Sequence, residues 1–391
     1  MATARSAASL RAELHELDEA IMQLNRKLFQ ASAARKKSRR SVVRCHLRIT
    51  SEIFTEAANG LEIDVRLGIP TAVALASVCT TWRSIALSLP SLWSNLKIAL
   101  REIAHSSEPH EVLDFISLCI ERSRRQPLDI EICQCQWEVE KSLELPAILR
   151  LVAPHSPRWT RFSFGSHGAL ASFQELKGRL SNLRTLELKV AEVRTSAFED
   201  APALRELRLA GTPAKHLALP WTQLEILRLH QMGVENSIEV LQRSRNVQEL
   251  SLCFDARDSV MQSPRVTVEL PHPRSLNMLY YNDKRSPLTK QLSLPALAEL
   301  SVTFPDVPRQ HVPSEAVDSV QAFLRTESTV LNEIVMQDRD LTAGADDRLH
   351  GSEGYCVSPL EWAVELIAKE CPVLAGRVME VKTDAGGKPQ Q

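Results

Sequence analysis

Few side chains in this 391-residue chain stand at spacings that support covalent chemistry. Cys133-Gln-Cys135 is the closest thiol pair, and on an extended strand that spacing sets both sulfurs on one face. No second Cys or His pair with zinc-type spacing completes a four-ligand set, so no metal site is expected. Asp338-Arg-Asp340 and Asp346-Asp347 cluster carboxylates in a segment whose composition predicts a loop, and read as solvated rather than cation-binding. The eleven histidines have no ligand-like spacing. A G-x-S-x-G elbow, an H-E-x-x-H helix, a phosphate-binding glycine loop and a dinucleotide fingerprint are all missing. The expectation is a non-enzyme with no cofactor, whose chemistry is recognition through apolar anchors and charged side chains.

Those side chains need elements to position them. From Leu75 to Leu89 the apolar residues Leu75, Val78, Trp82, Ile85 and Leu89 follow steps of 3, 4, 3 and 4, one stripe of a helical surface. Pro90 stops the helix, and Leu92 and Trp93 follow at once. So much apolar surface in so short a run predicts a small helical module that packs on something.

The order of residues carries more than the stripe. Val78-Cys79-x-x-Trp82-Arg83-x-Ile85-Ala86, then Pro90-x-Leu92-Trp93, resembles the second half of an F-box, in the version common in mushroom-forming fungi. Ser51-Glu52-Ile53-Phe54 resembles the end of that motif's first helix. The usual opening Leu-Pro-x-Glu-Ile is missing, and Leu47, Arg48 and Ile49 stand where it would be. The resemblance covers roughly Val43 to Ile98 and implies a three-helix module docking on a Skp-family adaptor, which links it to a cullin-RING ubiquitin ligase. It implies Ile53, Phe54, Val78, Trp82, Leu89, Leu92 and Trp93 as adaptor-binding residues, some of which must be core rather than contact. Each large anchor buried in a partner groove is worth about 1.5–3 kcal/mol.

A second pattern occupies the middle of the chain. Leu183-Arg-Thr-Leu-Glu-Leu188, Leu204-Arg-Glu-Leu-Arg-Leu209, Leu224-Glu-Ile-Leu-Arg-Leu229 and Val247-Gln-Glu-Leu-Ser-Leu252 start 21, 20 and 23 residues apart. Trp159 to Phe164, Leu276 to Tyr281 and Leu297 to Val302 read as weaker copies. L-x-x-L-x-L at this period is the leucine-rich-repeat signature: one unit cannot bury its own leucines, whereas a stack can. Segments such as 196–200 and 237–241 return the chain between strands. The Asn or Cys that often follows the unit is irregular here. Recognition of a target is expected on the x positions, with Arg184, Arg205, Arg208, Glu225, Arg228 and Gln248 as candidates, beside Thr185, Glu187, Glu206, Glu249 and Ser251. Arg208 and Arg228 share one repeat position and predict a basic row, with Glu187 and Ser251 at the same position in neighbouring copies.

The fold expected is therefore an α/β repeat. Residues 1–40 form an amphipathic helix or coiled coil with a basic connector, 43–98 an F-box-like domain, 99–336 irregular leucine-rich repeats, and 337–391 a flexible loop, a capping helix and a disordered tail. Leu10, Leu14, Leu17, Ile21, Leu24 and Leu28 form a heptad seam, compatible with self-association or with a single helix folded back on its own domain. Arg35 to Arg40 reads as a solvated connector or a nuclear signal. Helix then strand is expected at 111–125 and 128–132. A net charge of −1 gives no argument for nucleic acid or membrane binding. No run of about 18 apolar residues predicts a membrane span, and Met1 to Leu10 lacks a signal-peptide core. Eight scattered cysteines read as reduced thiols of a cytoplasmic or nuclear protein. The function expected is substrate recognition for an SCF ligase, or, alternatively, a repeat scaffold outside a ligase.

Overall fold

A computed structural model describes residues 48–56, 61–63, 71–99, 109–133, 144–165, 173–189, 195–254, 267–280, 287–304, 333–338 and 382–383, with scattered positions between 19 and 30. The heptad seam, the basic run at 35–40, Cys135, Asp340, Asp346, Asp347 and the capping segment at 359–370 lie outside the described residues.

The fold is α/β, built on a large parallel sheet. Twelve strands lie side by side in chain order: β1 (Leu61–Ile63), β2 (Asn95–Ala99), β3 (Leu128–Cys133), β4 (Trp159–Gly165), β5 (Thr185–Lys189), β6 (Glu206–Ala210), β7 (Ile226–His230) and β8 (Glu249–Phe254) come first. β10 (Ser275–Tyr280), β12 (Glu299–Phe304), β13 (Glu333–Asp338) and β14 (Lys382–Thr383) complete it, while β9 (Val268–Glu269) and β11 (Leu292–Ser293) form a separate parallel pair. The last two residues of β13 and all of β14 fall where the Asp- and Gly-rich sequence predicts a loop and tail.

The register explains why the strands form. Leu186, Leu207, Leu227, Leu250, Leu276 and Leu300 stand opposite one another in sequence, and so do Leu188, Leu209, Leu229, Leu252, Met278 and Val302. All twelve are buried, and together with Leu183, Leu204, Leu224, Val247 and Leu297 they line one continuous core. Strands β5, β6 and β7 alternate buried and half-buried side chains, the period of a sheet packed on one face. Between them the chain returns through 3₁₀ turns and, at Val234–Arg243, a helix whose Ile238, Val240 and Leu241 face the core. The helix Pro109–Arg122 precedes β3 as the periodicity predicts, with Ile116, Cys119 and Ile120 buried.

Two corrections follow from the register. Arg274 occupies the same backbone position as Gln248, accepting hydrogen bonds from the N–H groups of Ala298 and Glu299 as Gln248 does from Arg274 and Ser275. The copy read as Leu276 to Tyr281 is therefore Pro273-Arg-Ser-Leu-Asn-Met278, three residues earlier, and Leu279 is half-exposed. The unit also reaches upstream of residue 99. Leu96 and Ile98 stand opposite Ile130 and Ile132, and the Asp129 N–H donates to the Ser94 carbonyl, which makes Trp93-Ser-Asn-Leu-Lys-Ile98 another copy. The sheet thus begins inside the segment that resembles an F-box.

An amide recurs just before the unit rather than after it. Asn182 donates to the Pro157 carbonyl (2.7 Å), Gln223 to Ala201 (2.7 Å) and Asn246 to Thr222 (2.6 Å). Each ties one copy to the one before it through a turn carbonyl.

Candidate partner-binding surfaces

The seven residues implied for adaptor binding sort by burial. Phe54, Leu92 and Trp93 are interior, at 1%, 1% and 0% exposure. Trp93 is the first position of the β2 unit; its indole N–H donates to the Ala86 carbonyl at 2.9 Å and the Arg122 guanidinium lies 4.5 Å over its ring. Trp82 and Leu89 are half-buried against the core, with Trp82 meeting Phe54 edge to face at 4.9 Å between centroids. Ile53 and Val78 face solvent at 58% and 61%, and Ile49 joins them at 51%. Ile49 and Ile53 are four residues apart in a helical segment and share a face. The sequence left open which of the seven are core; the structure places Phe54, Leu92 and Trp93 in this chain's own core.

The stripe from Leu75 to Leu89 is also not one helix. Helices Thr71–Val78 and Thr80–Ser88 are separated by an extended Cys79 (φ −157°, ψ 169°), whose sulfur accepts the Trp82 N–H at 3.4 Å. Cys79, Thr80 and Thr81 are poor helix interior residues, and the sulfur takes the capping role a Ser would fill. Arg83 closes the corner by donating from Nε to the Ala76 carbonyl at 2.9 Å. Pro90 opens a 3₁₀ turn, Pro90–Trp93, that delivers Trp93 to the core.

On the sheet, the target candidates fall into two rows. Arg184, Arg205, Glu225 and Gln248 precede their strands at one edge and are exposed. Arg205 and Glu225 pair at 3.2 Å across adjacent copies, at 44% and 52% side-chain exposure. Arg208 and Arg228 lie on the face itself, in a row Ser163, Glu187, Arg208, Arg228, Ser251. The two arginines are direct neighbours, as the repeat position predicts. Both are anchored on one carboxylate: Arg208 Nη2 lies 2.7 Å and Arg228 Nε 3.2 Å from Glu206 Oε1, and Thr185 donates to Oε2 at 3.3 Å. Next to it Glu187 holds Lys189 at 2.9 Å and Arg161 at 3.5 Å.

This network fixes the protonation of its members. Burial pushes Glu187 up, but the hydrogen bond and charge of Lys189, with Ser163 and Arg208, outweigh it and hold the carboxyl below its usual 4.5. Glu206 is held down in the same way, burial being outweighed by Arg208 and Arg228. Burial lowers His230 below 6.5, opposed by Glu187 and reinforced by Lys189, Arg208 and Arg228. At neutral pH both carboxylates are charged and His230 is neutral.

Arg161, Lys189 and His230 were not singled out by the sequence, because the pairs Arg161–Glu187 and Arg228–Glu206 span 26 and 22 residues and emerge only in register. Elsewhere, a shallow depression of about 520 Å³ beside the return turns is lined by Gly178, Glu199, Asp200, Pro202 and Gln223, with Glu199 paired to Lys177 at 3.1 Å. No cluster of three metal-ligating side chains occurs among the described residues. Cys119 is a buried thiol pushed up to about 12, chiefly by burial, and is unreactive at neutral pH. No helix among the described residues is long and apolar enough to cross a membrane.

No known protein family matches this chain, and no curated protein does. Among solved structures, a protein from Bacteroides fragilis determined by a structural-genomics consortium is similar at 13% identity over 71% of both chains, with a TM-score of 0.34.

Proposed function

We propose that this chain is the substrate-recognition subunit of an SCF (cullin-RING) ubiquitin ligase, a leucine-rich-repeat solenoid led by a divergent F-box. The exposed apolar residues Ile49, Ile53 and Val78, on helices at the start of the sheet, are the observation that carries the adaptor half of this reading. Isolated large apolar residues on a surface are ordinary, but among the described residues four of the five exposed ones, Ile49, Ile53, Val78 and Leu87, lie in the short segment that resembles an F-box. Sequential parallel strands with three inward apolar positions per copy support the solenoid. The charged sheet face then holds the target, and the contribution to ubiquitin transfer is effective concentration rather than chemistry on this chain.

The test is a pull-down of purified chain with a Skp-family adaptor, beside an Ile53→Asp, Val78→Asp variant. Both positions are exposed, so the variant keeps its circular dichroism spectrum and loses the adaptor. Retention of the adaptor by that variant would sink the proposal.

A second reading is a repeat scaffold that joins no ligase. The interior positions of Phe54, Leu92 and Trp93 favour it, because folding alone then accounts for part of the resemblance. A folded parent that fails to retain the adaptor selects this reading.

A further inference from the structure

We infer that Lys189, Arg208 and Arg228 form a carboxylate-binding cradle on the sheet face, and that its occupant is an acidic peptide segment of the partner protein. This deepens the target-binding half of the proposed function and needs no adaptor.

The first observation is a gradient of depth. The side chains of Glu187 and Glu206 are 12% and 17% exposed, whereas Arg208, Arg228, Arg161 and Lys189 are 29%, 34%, 43% and 52% exposed. The carboxylates form the floor and the cations the rim, so an approaching partner meets cationic groups first. Lys189, Arg208 and Arg228 share two carboxylates, Glu187 and Glu206, while Arg161 at the far side stands opposite Asp129 in register.

The second is free donor capacity. Arg228 reaches Glu206 through Nε alone, so among the described residues its two terminal nitrogens make no hydrogen bond. A guanidinium held by Nε and open at its fork is set for a second, bidentate carboxylate. Arg208, next to it in register, spends Nε and Nη2 on Glu206.

The third is room. In the row Gly165, Lys189, Ala210, His230, Cys253, the small residues Gly165 and Ala210 flank Lys189. Ala210, whose side chain is a single methyl, stands between Lys189 and His230 in register. His230 follows Arg228 by two residues on β7, and Ala210 follows Arg208 by two on β6, so Lys189, Arg208, Arg228 and His230 border one patch of the face. A peptide crossing the strands can set one Asp or Glu there. The planar fork favours a carboxylate over a tetrahedral anion, and three cations around two carboxylates favour an acidic segment over a neutral one.

The probe is a fluorescein-labelled peptide with a Glu-Glu-Asp-Glu core, titrated with full-length chain at low and moderate salt and read by anisotropy. The expected result is saturable binding that weakens with salt and is at least tenfold weaker for the matching Gln-Gln-Asn-Gln peptide. Arg228→Ala loses about tenfold, Arg228→Lys recovers only part of that loss, and Arg179→Ala, on an exposed turn away from the cradle, is unchanged. Ala210→Phe, which sets a ring between Lys189 and His230 without removing a charge, also weakens binding. Equal affinity for the two peptides, or an Arg228→Ala affinity within twofold of the parent, overturns the inference. So does displacement of the peptide by inorganic phosphate at the concentration at which free glutamate has no effect, which would mark a site for phosphate. Binding of the peptide by a chain that does not retain the adaptor leaves the cradle standing and removes only the ligase reading.

Discussion

Replacing Trp93 separates an interior residue from an interface residue. The side chain is 0% exposed, donates to the Ala86 carbonyl at 2.9 Å and carries the Arg122 guanidinium 4.5 Å over its ring. Truncating a core tryptophan to alanine costs about 3–5 kcal/mol through lost transfer energy and the cavity left behind. Within that sum, the hydrogen bond contributes about 1 kcal/mol and the cation–π contact about 0.5–2 kcal/mol. Trp93→Phe keeps most of the apolar volume and gives up the indole N–H, leaving the Ala86 carbonyl with the Leu89 N–H at 3.4 Å, for about 0.5–1.5 kcal/mol. Urea denaturation of the isolated chain, followed by circular dichroism, orders the three proteins as parent, Trp93→Phe, Trp93→Ala. If both variants unfold within about 0.5 kcal/mol of the parent, the range of a surface substitution, Trp93 is not the interior residue of the β2 unit and the reasoning fails.

Three further outcomes follow from the same geometry. Glu206→Gln takes the carboxylate from two half-buried arginines and is expected to cost about 1–3 kcal/mol, whereas Glu225→Gln, in an exposed pair, stays within about 1 kcal/mol; thermal melts of the two variants check the contrast. Stability falls as pH falls, because Glu187, Glu206 and His230 all have folded-state pKa values below their ordinary ones, so the unfolded chain binds more protons. The His230 share goes first, as pH drops below 6.5, and the carboxylate share below 4.5; urea midpoints that rise on acidification from pH 7 to pH 4 contradict this. Gly211→Ala places a Cβ at φ 63°, in open space but in the left-handed region, and is expected to cost about 1–2 kcal/mol, read as a lowered melting temperature.

The inward leucines were legible because a sheet packed on one face demands them at fixed positions, and Leu186, Leu207, Leu227 and Leu250 stand as that demand predicts. The phase at Leu276 was not. Leu279 and Tyr281 imitate the fourth and sixth positions of the unit, while the true first position is a proline, which the leucine pattern passes over. Trp93 misled for a different reason: an aromatic buried by its own sheet and one buried by a partner leave the same apolar signal. The break at Cys79 hides in apolar spacing that continues through it, because a 3.6-residue period says nothing about one extended residue in its path. The charged face was half legible. Arg208 and Arg228 share a repeat position that can be counted, but their common anchor on Glu206, and the partnership of Glu187 with Arg161, depend on which strands are neighbours and in what register.

The most direct measurement is calorimetric titration of a Skp-family adaptor into three purified proteins: the parent, Ile53→Asp with Val78→Asp, and Arg208→Glu with Arg228→Glu. Two exposed anchors at about 1.5–3 kcal/mol each predict a loss of a hundredfold or more in the first variant, with parent-like affinity in the second. A parent that does not bind, or an Ile53→Asp, Val78→Asp variant that binds as the parent does, contradicts the assignment of adaptor docking to the helices and target capture to the sheet.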